Sequence, residues 1–256
     1  MKKSIFIFEA LMSLCVSINA QQITAINSCD TSYKTTTIEH MQLEQIHSTL
    51  PVALTITAES SDTITIEYPE TVEPYIKFEI NREMLSISER DEEVTRRQLL
   101  QLGSLQRINV RVPSSCINYV ANFSDMTIDF ENERYAKSLE IINAGTMYIK
   151  GKAITADVKI DITNFGTLLS MVEHYTTTSL AITNSGQLSI VGDISATFVE
   201  HNTMGVENSD INVKCHQLDI TTFGSGILRY SGTADSFNIS HVGDGQVITS
   251  GLNIEQ

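Results

Sequence analysis

The 256-residue chain contains no tryptophan, and it carries none of the common short motifs of catalysis or cofactor binding. A nucleophile elbow, a P-loop, a dinucleotide-binding glycine fingerprint and an HExxH zinc motif are all missing. The six histidines, at positions 40, 47, 174, 201, 216 and 241, do not fall at metal-ligand spacing. The sequence therefore predicts no catalytic residue, no metal site and no cofactor. The lack of tryptophan also lowers the expectation of strong sugar binding, because tryptophan supplies the largest aromatic surface.

Positive charge is also scarce. Lys and Arg total 17 against 31 Asp and Glu, which gives a formal net charge of −14 at pH 7. Such acidity argues against nucleic acid as a partner and against a basic patch that would bind a membrane surface. Apart from the N-terminus, no apolar stretch approaches the length that a membrane span requires.

The N-terminus is typical of a secretory signal peptide. Two lysines precede an apolar run from Ile5 to Val16, and the small residue Ala20 stands before Gln21. The apolar run is too short to cross a bilayer. We predict a signal peptide over residues 1–20, cleaved between Ala20 and Gln21, and therefore an exported protein of the periplasm, the cell surface or the extracellular space.

Three cysteines would remain after cleavage: Cys29, Cys116 and Cys215. Their spacings match no zinc or redox motif. One disulfide with one leftover thiol would fit the number, and so would three free thiols. We expect three buried, inert thiols, because free cysteine packs as a small hydrophobic residue.

A short sequence motif recurs about every twenty residues from the middle of the chain to its end. Ile160–Gly166 and Leu180–Gly186 are two copies, each an alternation of apolar and polar residues that closes on Asn-x-Gly. Period-two alternation predicts strands, and a repeat of this length predicts a solenoid. The glycines of the repeat fall at Gly145, Gly166, Gly186, Gly205, Gly224 and Gly243.

Asparagines that stand two or three places before the turn glycines define a second repeating position, and Asn122 falls there one period before Asn143. Stacked asparagines can hydrogen-bond as a ladder at the spacing of about 4.8 Å between strands, and asparagine tolerates left-handed backbone at a corner. We therefore predict a structural column of turn residues rather than a ligand site, with Thr222 and His241 in its last two places and His201 beside it. The predicted asparagine column is Asn122, Asn143, Asn164, Asn184 and Asn202.

The first half of the chain is rich in alternating strands but less regular. Strands are predicted near residues 52–58, 63–68, 76–80, 84–88 and 108–113, with a solvated loop over 89–107. Residues 21–37 are expected to form an edge strand or cap, because the open end of a solenoid exposes pairing edges. The predicted domain covers 38–251, with an irregular half over 38–114 and regular rungs over 115–251.

Two regions resemble a known family. One is Met41–Ile46 with Leu50–Ile56; the other is Val213–Ser250, with its Gly224-Ser225-Gly226 turn and Tyr230-Ser231-Gly232 step. These residues are similar to the auto-transporter adhesin "head GIN" domain, a domain of unknown function in envelope proteins of Bacteroides-like bacteria. The resemblance implies an all-β, right-handed parallel β-helix-like solenoid. It brings no catalytic residues, and the middle rungs depart from it by keeping one glycine rather than Gly-x-Gly.

Acidic and aromatic residues leave other functions open. Asp125 and Asp129 are about 13 Å apart on one strand, too far for a glycosidase pair, whereas Glu140 and Asp161 share a rung position. Tyr148 and Tyr230 are candidates for aromatic side chains that share one exposed face and stack on sugar rings. Our leading hypothesis is an adhesin-like, non-enzymatic protein that binds a glycan or protein through a solenoid face. The alternatives are a polysaccharide-acting β-helix enzyme and a structural component that assembles as a homo-oligomer.

Overall fold

The computed structural model describes residues 32–39, 43–57, 63–91, 107–113, 117–131 and 134–254, without the side chains of residues 134 and 135. The predicted signal peptide, with its cleavage site at Ala20 and Gln21, lies outside the described residues. So do Cys29, Cys116 and most of the predicted loop before Arg107.

The described residues form sixteen strands of one continuous sheet and a short 3-10 helix. This confirms the predicted all-β solenoid, which has about 7 turns of roughly twenty residues. The elements are β1 (Tyr33–Glu39), β2 (Gln45–Ser48), β3 (Val52–Thr57), β4 (Thr63–Pro69), the 3-10 helix (Glu70–Tyr75), β5 (Ile76–Asn81), β6 (Met84–Glu89), β7 (Ile108–Pro113), β8 (Tyr119–Asn122), β9 (Asp125–Phe130), β10 (Arg134–Asn143), β11 (Thr146–Asn164), β12 (Thr167–Asn184), β13 (Gln187–Thr203), β14 (Val206–Thr222), β15 (Ser225–His241) and β16 (Gln246–Ile254).

From β8 onward the sheet is a stack of parallel rungs. Each long strand lies in register on the next, so that Thr146 of β11 faces Thr167 of β12 and Asn164 faces Asn184. The same pairing repeats through β15 and β16. Because each strand pairs with the next copy of itself, one sequence position becomes one column along the solenoid.

The core follows from strict alternation within each strand. One inward column begins with Ile141, Ile162 and Ile182, each 0–1% exposed. Each such side chain contributes about 1.5–3 kcal/mol when it leaves water. Stacking therefore turns a period-two pattern, too weak to stabilise one hairpin, into a continuous apolar interior.

The first half of the chain is where spatial order departs from chain order. The rung made by β2 and β3 lies between β6 with β7 on one side and β8 with β9 on the other. The strands β4 and β5 run antiparallel to β7 and β6, and β1 pairs antiparallel with β4. Antiparallel strands thus cover this end of the stack, with β1, at residues 33–39, on its outer edge.

Candidate functional site: an apolar ridge along the turns

The turn column holds buried asparagines that bond to one another. Asn143 Nδ2 donates to Asn164 Oδ1 at 2.8 Å, to the carbonyl oxygen of Gly145 at 3.0 Å and to that of Thr167 at 2.9 Å. Asn122 and Asn164 repeat this pattern, and Asn184 donates to Thr203 Oγ1 at 2.9 Å. Every amide proton of the ladder therefore has an acceptor, which removes the cost of burying an amide.

Asn202 is not a member of this column, so its prediction was wrong. Thr203 faces Asn184 and Thr222, whereas Asn202 points outward and donates to Glu200. The rung step shortens here to 19 residues, and a step of one residue sends a side chain to the opposite face of a strand. The left-handed backbone expected of the asparagines is also absent, because Arg82 is the sole non-glycine with positive φ among the described residues.

The turn glycines are required by close approach between rungs. A Cβ added to Gly166 would lie 2.0 Å from the carbonyl oxygen of Gly145, and Gly186 and Gly205 repeat this contact with the glycine of the preceding turn. The same carbonyl of Gly145 accepts the amide of Thr167 at 2.8 Å. Any side chain would therefore block the hydrogen bond that joins two turns.

The residue between the asparagine and the glycine points into solvent. Its amide bonds to the rung before it, as Phe165 does to Asn143 and Phe223 to Thr203, so these residues also form a column. Five large apolar side chains in it are 50–64% exposed. We call this column the ridge. Its members are Phe123, Ala144, Phe165, Ser185, Met204, Phe223 and Val242.

The ridge runs through a strip that is poor in charge. One flanking column is Ile142, Thr163, Thr183, Asn202, Thr221 and Ser240, and the other is Asp125, Thr146, Thr167, Gln187, Val206 and Ser225. Of these positions and the ridge, Asp125 alone is charged, and the position in the last turn that corresponds to Ser225 is Asp244, so the strip carries one carboxylate near each end in a chain of net charge −14. The strip extends over seven turns, which is about 29 Å at the spacing between strands.

Carboxylates form the next outward column, two residues before Thr163 and its stacked neighbours on the same strands. Glu140 and Asp161 stack on adjacent rungs, as predicted, and Glu200 faces Asp219 further along. Lys159 Nζ lies 2.5 Å from Asp161 Oδ2, and Asn238 donates to Asp219. A stacked pair of carboxylates neutralised by lysine is an ordinary exposed ion-pair arrangement. Within the described residues, no group of three or more His, Cys, Asp or Glu side chains could hold a metal ion.

The sequence did not predict a buried polar cluster inside the C-terminal rungs. His201, Glu207, Ser209 and Tyr230 are each at most 2% exposed. His201 Nε2 lies 2.9 Å from one Glu207 oxygen, Ser209 Oγ donates to the other at 2.7 Å, and His201 Nδ1 lies 2.6 Å from the Tyr230 hydroxyl. One tautomer satisfies all four groups: Nε2–H donates to Glu207, and Nδ1 accepts from Tyr230.

Tyr230 therefore does not share an exposed face with Tyr148, and that expectation was wrong. Burial, followed by the nearby Glu207 charge, raises the pKa of Tyr230 well above 10. Burial likewise raises the pKa of Tyr175 to about 12. Cys215 is a buried free thiol whose pKa burial raises to about 11, so little of it is thiolate near pH 7.

Comparison with known proteins identifies the family of this chain. The model of the family described as "Putative auto-transporter adhesin, head GIN domain" matches residues 42–171 and 167–256. The chain belongs to this family. No curated protein matches the chain.

Two crystal structures share the head GIN fold. A putative adhesin from Bacteroides fragilis NCTC 9343 is 16% identical, with a TM-score of 0.62 over 84% of this chain and 96% of the other. A putative adhesin from Parabacteroides merdae ATCC 43184 is also 16% identical, with a TM-score of 0.54 over 84% and 95%. Likeness at this level of identity establishes the fold. Among the described residues, the structure contains no helix that is both long and apolar enough to cross a membrane.

Proposed function

We propose that this head GIN protein is an exported, non-enzymatic, adhesin-like protein of the cell envelope or surface, and that it binds a protein partner through the ridge. The observation that carries the proposal is the charge-poor strip around Phe165 and Phe223. Interface cores are depleted in charged residues and enriched in phenylalanine and methionine. Monomers rarely expose contiguous apolar patches larger than about a few hundred Å², and larger patches mark binding sites.

A protein partner is favoured over a glycan by the chemistry of the ridge. Six of its seven side chains are phenyl, thioether or aliphatic groups, and Ser185 carries a hydroxyl. The hydroxyls and amides in the flanking columns, such as Thr163 and Thr183, can serve as the polar rim that surrounds the core of a protein interface. A mostly apolar column one residue wide and about 29 Å long suits an extended segment or the edge of another domain.

The test compares three forms of the purified protein. These are the wild type, the Phe165→Ser/Phe223→Ser double variant and a control, Phe198→Ser, which removes a phenyl ring that is 50% exposed outside the ridge and its flanking columns. Each is applied to immobilised extracellular-matrix and mucosal proteins, and to a glycan array with and without calcium, with cleavage of every bound glycan checked.

We expect binding to a protein target that weakens about tenfold or more in the double variant and is unchanged in the control. Equal binding by the double variant would remove the ridge from the proposal. Binding to glycans alone would replace the protein partner with a sugar, and glycan cleavage would overturn the non-enzymatic assignment.

A further inference from the structure

The two ends of the sheet differ in whether charged residues protect their outer strands from pairing with another chain. At one end the outer strands are β1 and β5, which carry Lys34 and Glu39, and Lys77 and Glu79. Lys34 pairs with Glu73 and Lys77 with Glu79 on the surface. Charged residues on an edge strand prevent a second chain from extending the sheet, because pairing would bury them. This end is protected against edge-to-edge association.

The other end lacks such protection. The last turn, Ser236–Ile254, carries one formal charge, Asp244. Within the described part of the chain, β16 pairs with β15 alone, so one side of its backbone has no strand beside it. Unpaired strands of high β propensity, such as the Val247-Ile248-Thr249 stretch, are templates for another strand.

Core positions are also uncovered at this end. Ile239 stacks on Ile220, which is 2% exposed, and Ile254 stacks on Ala234, which is 0% exposed. Yet Ile239 is 39% exposed and Ile254 is 56% exposed, because no further rung of the described chain covers them. A solenoid that ends on apolar core residues needs a cover, since soluble repeat proteins finish on a polar terminal repeat.

We propose that a second copy of this chain covers this end, so that two last turns pair edge to edge in a two-fold dimer. A second copy presents the same unpaired strands, the end of β15 and β16, and the same uncovered apolar residues, Ile239 and Ile254. Each copy can therefore pair with the strands of the other and cover its apolar residues. The last turn is nearly uncharged, whereas contact through most other faces would bring together chains of net charge −14.

The pairing is antiparallel, because a two-fold axis across the shared edge reverses one identical strand relative to the other. It also stops at two copies. At the opposite end of each protomer the outer strands β1 and β5 also have one unpaired side among the described residues, but their charged side chains oppose the addition of another strand, so a filament does not grow from the dimer. This proposal does not depend on the ridge, although Val242 belongs to both.

The test measures oligomeric state by sedimentation velocity over a hundredfold range of protein concentration. Three forms are compared: the wild type, an edge variant, Ile239→Lys/Ile254→Lys, and a control, Val158→Lys/Val191→Lys. The control places two lysines at positions of inner rungs that are 49% and 41% exposed. Circular dichroism of each form verifies that the strands are retained.

We expect the wild type and the control to sediment at twice the mass of the chain, and the edge variant to require at least tenfold more protein to dimerise. Hydrogen exchange gives a second readout on the wild type alone. Amides of Gln246–Ile254 should be protected at high concentration and exchange faster on dilution. A wild type that stays monomeric throughout, or a dimer whose β16 exchange does not depend on concentration, would overturn the proposal.

Discussion

The turns from Asn122 to Asn184 and those from Thr203 to His241 stack in the same way but have different residues at the corner. The first group buries amides at the corner and keeps the interior mostly apolar, apart from the bonded pair Ser170 and Tyr175. In the second group, threonine and histidine replace the corner amides, and a charged group enters the interior at Glu207 beside His201. The strands stack in parallel in both groups. Stacking therefore does not require asparagine at the corner, although the step between turns shortens from 20 or 21 residues to 19 where the asparagines end.

What both groups share is the glycine contact, and breaking it should have the largest effect. Gly166→Ala places a methyl group 2.0 Å from the Gly145 carbonyl oxygen, so adjacent turns must separate. We expect a loss of more than about 4 kcal/mol in the free energy of unfolding, measured by urea denaturation. The control, Gly245→Ala, has its nearest contact at 3.2 Å and should cost about 1 kcal/mol. Similar losses at both sites would mean that the close approach does not limit the fold.

Substitution inside the ladder should cost more than substitution at its end. Asn164→Leu removes the donor to Asn184 and the acceptor of Asn143, together with two bonds to backbone carbonyls. We expect a loss of about 3–4 kcal/mol. Thr222→Val keeps the side-chain shape and removes one bond, to His241, so about 1 kcal/mol should be lost. The comparison fails if the two variants have the same urea midpoint.

The buried cluster tests whether the second group of turns needs its polar interior. Glu207→Leu leaves His201 and Ser209 buried without their carboxylate, and we expect a loss of about 3 kcal/mol. The quadruple variant His201→Ile/Glu207→Leu/Ser209→Ile/Tyr230→Phe removes every polar group of the cluster and restores the residues that the preceding rung carries at Ile182, Leu188 and Ile190. It should recover most of that loss in thermal and urea unfolding. A quadruple variant less stable than Glu207→Leu would show that the cluster has no apolar equivalent.

Alkaline pH should weaken both groups of turns by smaller amounts. The folded state holds the phenolic proton of Tyr175 to a pKa of about 12, against 10 for the unfolded chain. Its contribution is complete below about pH 10 and is lost as pH rises toward 12, by roughly 2–3 kcal/mol in total. Tyr175→Phe should flatten the decline in unfolding free energy between about pH 10 and pH 12. The pKa of Tyr230 is also raised, so Tyr230→Phe should act in the same direction.

The sequence was sufficient to predict the strands, the rung period and the glycine column, because these follow from local alternation and from residues that recur at one spacing. It was insufficient where the spacing changed: the short step before Thr203 led to the choice of Asn202. The order of the first rungs could not be read, because β2 and β3 pair with strands that come much later in the chain. The cluster at Glu207 was missed because its four residues meet only after two turns have stacked.

The ridge could have been found from the sequence. Phe123, Phe165 and Phe223 each follow a ladder position directly, and a large apolar residue beside a turn asparagine is not explained by the ladder itself. The open edge at β16 required the structure, since its significance depends on which strands cover the other end.

The contact of each turn glycine with the one before it has a consequence for how such proteins change in length. An insertion or deletion that moves a residue other than glycine into this position would bring a Cβ onto the carbonyl of the preceding turn, as at Gly145 or Gly166. The turns of this chain differ in length by one or two residues and each keeps its glycine, so related chains should gain and lose turns that each keep it. Each added turn would extend the ridge by about 4.8 Å. The length of the proposed binding surface would then change in steps of one turn.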